Sequence, residues 1–123
     1  MRSWMKDSSV KKMTETEAAW LAGFMDGEGS ISCYMGGRAQ QFRSWVLTAP
    51  NTHHGSIVRC LEITGAGKIR DKKSRKPNPI HKPMWIWAVN SKREIRDVIQ
   101  QIYPYLVIKK TQADVFLAEF QEI

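Results

Sequence analysis

Cysteines are few in this chain, and they lie far apart in sequence. The chain has two, Cys33 and Cys60, and their spacing matches neither a Cys-x-x-Cys pair nor a zinc-ligand pattern. The sequence therefore gives no support to a metal centre built on thiolates. It predicts two reduced thiols buried in the core.

Long hydrophobic runs are absent as well. No segment approaches the about 18 consecutive apolar residues that a membrane-spanning helix needs. The N-terminal residues MRSWMKDSSVKK contain no apolar signal core. These absences predict a chain that neither crosses a membrane nor is secreted, and hence an intracellular location.

Acidic residues are outnumbered by basic ones. The sequence has 12 Asp and Glu against 19 Lys and Arg, which gives a formal net charge of +7 and a pI near 9.7. This excess points to a polyanionic partner, with nucleic acid first and an anionic membrane surface second. A length of 123 residues and a hydrophobic content of 42% are typical of one globular domain.

A helix of unusual composition is predicted within TETEAAWLAGFMDGEGSI, residues 14–31. Thr14 and Glu17 have the spacing of a capping box, and the Gly-rich end at 26–29 terminates the helix. Helical periodicity places the bulky residues on one face, which is predicted to enter the core: Trp20, Leu21, Phe24 and Met25. Another face has only small side chains or Asp: Ala19, Ala22, Gly23, Asp26 and Gly27. Small side chains let a second backbone come close, so this face predicts a helix–helix seam with Glu28 at its C-terminal end.

The segment LAGFMDGEG at residues 21–29, followed by Ser30 and Ile31, closely resembles the motif that names the LAGLIDADG homing endonucleases. In that family two motif helices pack through their small residues, and the last acidic residue of each motif binds divalent metal for DNA-strand hydrolysis. That position is Glu28 here, where the family more often has Asp. The resemblance implies a sequence-specific double-stranded DNA endonuclease that acts wherever the host DNA lies.

The motif occurs once, and the chain contains no internal repeat of it. Since the seam needs two copies, the resemblance implies a homodimer that cuts both strands of a long, near-palindromic site. The expected dimer interface is the small-residue face of the motif helix: Ala19, Ala22, Gly23, Asp26 and Gly27.

The rest of the sequence predicts a mobile basic arm at 1–13 and a single domain at 14–123. Strands are expected at 31–35, at 42–48, in the first half of 68–76 and at 84–89. Helices are expected from about 52 to 63, from Ser91 to Pro104 and at 110–120. The class is α+β, and the resemblance implies the αββαββα fold of the family. Its antiparallel sheet is saddle-shaped, with helices on the convex side and DNA under the concave face.

Phosphodiester hydrolysis needs a charge-neutralising metal, a water nucleophile and stabilisation of the leaving oxygen. Glu28 is a hard oxygen ligand that suits Mg²⁺, with Mn²⁺ as a substitute. In the family a lysine after a Pro-x-Leu segment lies near the scissile phosphate. The segment PYLVIKKTQAD at 104–114 places Lys109 at that step. The alternatives are a solvated lysine at a helix start, or a register shifted to Lys110.

The third catalytic position of the family is a polar side chain at the end of the second strand. Asn51 is the candidate, although an Asn at this point is equally consistent with the N-cap of the next helix. Ungapped alignment back from Gly65 would place Ala49 there instead. His53 and His54 fall where some relatives have a basic residue near the phosphate, and they are also consistent with surface residues.

The segment KIRDKKSRK at 68–76 has six Lys or Arg in nine positions. In the family the third strand and its turn contact DNA, whereas the alternative is a solvated loop. Arg is the best bidentate ligand for guanine, and lysines more often contact phosphates. The expected DNA contacts from this cluster are Lys68, Arg70, Lys72, Lys73, Arg75 and Lys76. Those from the other strands and turns are Ser32, Tyr34, Arg38, Gln40, Ser44, Thr48 and Ile86.

Two competing hypotheses remain at this point. The fold is reused by non-cleaving DNA-binding proteins and by maturase-like proteins that bind intron RNA, although an acid at 28 and a lysine at 109 favour cleavage. An HNH-type nuclease would use His53 or His54 with Asn78 and His81, but this spacing lacks a compact ββα-metal unit.

Overall fold

The computed structural model describes residues 9–36, 42–72 and 83–121. The helices are α1 (Glu15–Glu28), α2 (His54–Thr64), α3 (Lys92–Ile102) and α4 (Lys110–Gln121), with a 3-10 turn at Tyr103–Tyr105 between the last two. The strands are β1 (Ser30–Gly36), β2 (Phe42–Asn51), β3 (Lys68–Lys72) and β4 (Met84–Val89). The predicted element order and the α+β class are confirmed.

The described strands form one antiparallel sheet in the order β1-β2-β4-β3. Trp45, Leu47 and Ala49 of β2 are buried, while the alternate residues of the strand are only partly covered. Since successive strand residues point to opposite faces, the helices cover one face and leave the other open. Trp45 and Leu47 therefore point inward, toward the helices.

Helix α1 begins with the predicted capping box. Thr14 Oγ1 accepts the backbone N–H of Glu17 at 3.1 Å, and Glu17 Oε1 accepts the backbone N–H of Thr14 at 2.9 Å. These bonds satisfy two of the N–H groups that a helix start leaves without intrahelical partners. The start of α1, and therefore the register of the motif, is fixed locally.

The core face of α1 agrees only in part with the one that the sequence predicts, since Leu21 and Met25 are buried as expected. Its buried residues are Ala18, Leu21, Ala22 and Met25, at i, i+3, i+4 and i+7. Trp20 and Phe24 are only half-buried, and their rings stack on each other with centroids 5.1 Å apart. The guanidinium of Arg59 lies 4.9 Å from the Trp20 ring centroid. The aromatic pair therefore packs at the edge of the core, because α1 turns its smaller residues toward the sheet and α3.

The N-terminal segment corrects another expectation. Val10 and Met13 are buried, and the backbone N–H of Lys11 donates to the Thr64 carbonyl at 2.7 Å. The Gln101 side chain accepts from the backbone N–H of Met13 and donates to the carbonyl of Lys11. Residues 9–13 thus pack against α2 and α3 and belong to the domain. Residues 1–8 of the expected arm lie outside the described part.

The two cysteines differ in environment. Cys60 is buried in α2, and desolvation raises the pKa of its thiol from 9.0 to about 12. Cys33 is exposed, and its Sγ accepts from Arg43 Nε at 3.4 Å. The prediction of buried thiols is correct for Cys60 and wrong for Cys33, because Cys33 lies on the edge strand β1. Among the described residues, no helix has the length and apolar character needed to span a membrane.

Candidate functional site

Glu28 is the last residue of α1, and its side chain is exposed. The backbone N–H of Gly29 donates to the Met25 carbonyl at 2.9 Å, and a Cβ at position 29 would overlap the Met25 side chain. Glycine therefore allows the close approach with which the chain passes from α1 into β1. Since the last turn of α1 contains no basic residue, the Glu28 carboxylate and the negative end of the helix dipole both favour a cation there.

Lys109 lies beside the same end of α1. Asp26 Oδ2 accepts the backbone N–H of Val107 and Oδ1 accepts that of Lys109, both at 2.9 Å. These bonds join the last turn of α1 to the segment that precedes α4. The structure thus joins the backbone of Lys109 to Asp26, which lies two residues before Glu28 in the motif helix.

Asn51 occupies the end of β2 and does not cap α2. The strand continues through Pro50 to Asn51, and Asn51 Oδ1 accepts the backbone N–H of His53 at 2.7 Å. The N-cap of α2 is His53, whose Nδ1 accepts the backbone N–H of Ser56 at 3.1 Å. The predicted helix start near residue 52 and the Asn51 N-cap alternative are therefore wrong, because pairing with β4 extends the strand.

Asn51 and Glu28 lie at the same end of the sheet. Ser30, the first residue of β1, pairs with Thr48 near the end of β2, because the two strands are antiparallel. Glu28 lies two residues before Ser30, and Asn51 lies three residues after Thr48. Ala49, the alternative from ungapped alignment, is fully buried and offers no polar group to a reaction.

The two histidines are engaged at the start of α2. Besides capping the helix, His53 Nδ1 lies 2.7 Å from Ser56 Oγ. The His54 ring packs on Trp85, with centroids 4.6 Å apart. The HNH hypothesis also requires Asn78 and His81, which lie outside the described residues, and the observed sheet is not a ββα-metal unit.

The predicted DNA-contacting residues of β1 and β2 share the open face of the sheet. Ser32, Tyr34, Ser44 and Thr48 occupy alternate positions, and Tyr34 is directly opposite Ser44 in the ladder. Tyr34 is 51% exposed, while the other three are half-buried. The hydroxyls of Ser30 and Ser32 lie 2.6 Å apart on this surface. Together they give this half of the face hydroxyl groups that can donate or accept hydrogen bonds.

The other half of the open face is basic. Lys68 pairs with Ala88 and Arg70 pairs with Ile86, so these cross-strand neighbours lie on one face. The pairing of Thr48 with Ala88 shows that this is the same face as in β2. Lys68 and Arg70 are exposed, and Ile86 is half-buried. The open face is therefore continuous from hydroxyl-bearing β1 to basic β3.

Several predicted contacts cannot be placed on this face. Lys72 ends β3 opposite Met84, with only its backbone described. The remaining ones lie outside the described residues: Arg38, Gln40, Lys73, Arg75 and Lys76.

The small-residue face of α1 is largely free for a partner. Ala19, Gly23 and Gly27 are exposed, and a Cβ added at either glycine would meet no heavy atom within 4 Å. Ala22, in contrast, is fully buried inside the protomer, because it is part of the face that packs on the core. Its inclusion in the expected interface is therefore wrong, and Asp26 is engaged with the segment before α4.

The donor set at the end of α1 fits a hard divalent cation. Within the part of the chain that the structure describes, no group of three or more His, Cys, Asp or Glu forms a complete metal cage. Mg²⁺ does not need one, since it keeps several waters and binds through one or two carboxylates together with substrate phosphates. The exposed Glu28 carboxylate at the end of α1 matches that requirement.

The sequence does not reveal that Asp26 accepts backbone N–H groups from the segment before α4. It predicts Asp26 only as part of the helix–helix seam. A partial signal existed, because Asp side chains near helix ends often accept backbone N–H groups. Its two partners are 81 and 83 residues away, however, so local pattern does not identify them.

Solved structures with a similar fold include homing endonucleases in complex with DNA. I-CvuI in complex with its target in the presence of Ca has a TM-score of 0.72 and 26% sequence identity, covering 87% of this chain and 67% of that chain. The group I intron-encoded homing endonuclease I-CeuI complexed with DNA has a TM-score of 0.70 and 17% identity, covering 90% and 56%. The LAGLIDADG homing endonuclease I-LtrWI bound to target DNA has a TM-score of 0.65 and 21% identity, covering 90% and 37%.

No family model matches the chain, and no curated protein sequence is significantly similar to it. The structural similarity agrees with the motif at residues 21–29 and with the observed order of helices and strands. Motif, fold and solved neighbours agree: the chain has the LAGLIDADG homing endonuclease fold and is similar to members of that family.

Proposed function

We propose that the protein is a sequence-specific, divalent-metal-dependent endonuclease that cuts both strands of double-stranded DNA as a homodimer. The observation that carries this proposal is the hydrogen bond that joins the Lys109 backbone to Asp26 in the last turn of α1, the turn that ends at Glu28. An acid and a cation near the scissile phosphate are groups that phosphodiester hydrolysis uses.

The open face is the proposed DNA-binding surface. Lys68 is an exposed cation suited to phosphates, and Arg70 has the fork geometry that matches guanine O6 and N7. Tyr34 and Ser44 add groups that hydrogen-bond base edges. The major groove can accommodate a two-stranded β-ribbon. The strands of the sheet would therefore follow the duplex, with their open face toward the DNA.

A homodimer supplies the second half of the site. Each protomer contributes one motif helix, and the exposed Ala19, Gly23 and Gly27 permit the close approach of two such helices. Two-fold symmetry would place one Glu28 beside each strand. The symmetry also implies a target made of two similar half-sites.

Glu28 is the residue that would hold the divalent cation, Mg²⁺ or Mn²⁺, with phosphate oxygens and water completing its shell. Bound there, the cation supplies Lewis-acid stabilisation of the leaving 3′-oxygen and a more acidic water. The presence of Ca or Mg in the I-CvuI complexes supports this use of a divalent ion. The Lys109 ammonium would neutralise charge on the scissile phosphate, and the Asn51 amide group would orient water at the same end of the sheet.

The test is incubation of the purified protein with a randomised duplex library in Mg²⁺, followed by sequencing of the cut ends. We expect one enriched, near-palindromic site with short 3′ overhangs, and no cutting after chelation by EDTA. Enrichment of a site by binding alone, with no cut in Mg²⁺ or Mn²⁺, would contradict the nuclease and favour a binding protein.

A further inference from the structure

The segment that carries Lys109 has few side-chain anchors of its own. Leu106 is buried, but Val107 is 78% exposed and Ile108 is 66% exposed. Exposed apolar side chains contribute little to fixing a loop, because they bury little area against the protein. The position of residues 107–109 must therefore be set mainly through their backbone.

Asp26 supplies that backbone restraint. Its two carboxylate oxygens accept one N–H each, from Val107 and from Lys109, both at 2.9 Å. Hydrogen bonds to an ionised acceptor are about twice as strong as neutral ones. The carbonyl of Lys109 in turn accepts the N–H of Ala113 in α4 at 3.0 Å. Lys109 is thus held on its N–H side by α1 and on its carbonyl side by α4.

We propose that Asp26 is a positioning residue for the reaction, which sets the place of Lys109 relative to Glu28. The inference rests on the proposed function of Glu28 and Lys109. Asp26 and Glu28 belong to the same last turn of α1, so one rigid turn determines where the acid lies and where the lysine backbone lies. A displacement of about 1 Å in such a pair is enough to lower a reaction rate about a hundredfold.

Both oxygens of a carboxylate are needed for this arrangement. Asparagine has the same shape but only one oxygen acceptor, and its NH₂ group would face one of the two backbone N–H groups. Asp26→Asn therefore keeps one bond and loses the other at nearly constant volume. The variant separates the positioning of Lys109 from the overall packing of α1.

The decisive experiment is a double-mutant cycle on single-turnover cleavage of the selected target. Asp26→Asn should slow cleavage about tenfold to a hundredfold, with target affinity changed less than threefold. In a Lys109→Met background the same substitution should have little further effect, because the group that it positions is gone. Asp114→Asn is the matched control, since Asp114 is exposed and its Oδ1 accepts the Tyr103 hydroxyl rather than the backbone of residues 107–109. Its cleavage rate should stay at the wild-type value.

Equal losses from Asp26→Asn in both backgrounds would overturn the inference, and so would dissociation of the dimer by this variant in sedimentation.

Amide hydrogen exchange gives a readout that does not depend on cleavage. Protection at Val107 and Lys109 should fall in Asp26→Asn, while the Gly29 amide, bonded to Met25, should remain protected. If the wild-type protein never cuts its target, the proposed function fails. In that case, unchanged protection of the Val107 and Lys109 amides in Asp26→Asn would also overturn the inference that Asp26 restrains this segment. Reduced protection of these two amides in the variant would still support that restraint.

Discussion

Replacing Lys68 by alanine tests whether the open face of the sheet binds DNA. Lys68 is exposed at the start of β3 and lies in line with Ala88 and Thr48 across the face. If its ammonium contacts one phosphate, each protomer loses one contact, and a homodimer loses two. The slope of log affinity against log salt should then become shallower by about 1.8, at about 0.9 for each phosphate.

This slope change has a measurable size. Between 50 and 200 mM salt it alters the ratio of wild-type to variant affinity by about twelvefold, whereas a single contact alters it by about 3.5-fold. Fluorescence anisotropy with the selected duplex at four or five salt concentrations resolves the two cases. The matched control is Lys12→Ala, an exposed lysine on the segment that packs against α2 and α3. An unchanged slope for Lys68→Ala, or an equal change for Lys12→Ala, would refute the assignment of the open face.

Two further predictions concern the seam and the thiols. Gly23→Leu should fold with unchanged or higher thermal stability, because its side chain has open space in the protomer and leucine is a better helix former by about 1 kcal/mol. It should nevertheless sediment as a monomer, and a stable dimer would contradict the seam. Cys33 should react with a thiol reagent at pH 8 in the folded protein, while Cys60 reacts only after unfolding. Burial raises the Cys60 thiol pKa to about 12, so the stability that this thiol contributes is complete below pH 9 and is lost as the pH rises toward 12. Equal reaction rates of the two would refute this difference.

The elements were predictable where their causes are local. The capping box at Thr14 depends on residues three positions apart, and a second cap is formed by Ser91, whose Oγ accepts the N–H of Glu94 at 3.4 Å. In α3 apolar residues recur at helical spacing, and Ile95 and Ile99 on that face are fully buried. Such signals need no knowledge of the tertiary structure, because each one is complete within one or two helical turns.

The rotation of α1 was not predictable in this way. Side-chain size favoured Trp20 and Phe24 for the core, but the sheet accepts the smaller Ala18 and Ala22. Helix packing distance depends on the partner surface, and small residues permit a closer approach. The aromatic pair is stabilised instead by ring stacking and by Arg59, a contact across 39 residues of sequence that no local pattern contains.

The candidate site divides in the same way. The motif predicts Glu28 and the Pro-x-Leu spacing predicts Lys109, because both lie in short segments with a distinctive sequence, and both assignments stay predictions. The sequence predicts that β2 ends at residue 48, whereas the strand continues to Asn51. The difference arises because strand length depends on pairing with β4. The link between Asp26 and the Lys109 backbone was missed because its partners are distant in sequence.

Glu28 is proposed to hold the metal ion with which the protein would hydrolyse DNA. The most direct measurement compares wild type with Glu28→Gln on the selected duplex in Mg²⁺, scoring affinity and cleavage of each strand. Glutamine keeps the size but removes the charge that binds the cation. We expect the variant to dimerise and to bind at least as tightly, because two carboxylates near the phosphates no longer repel them. Cleavage of both strands should fall by several orders of magnitude, and cleavage at the wild-type rate would contradict the account.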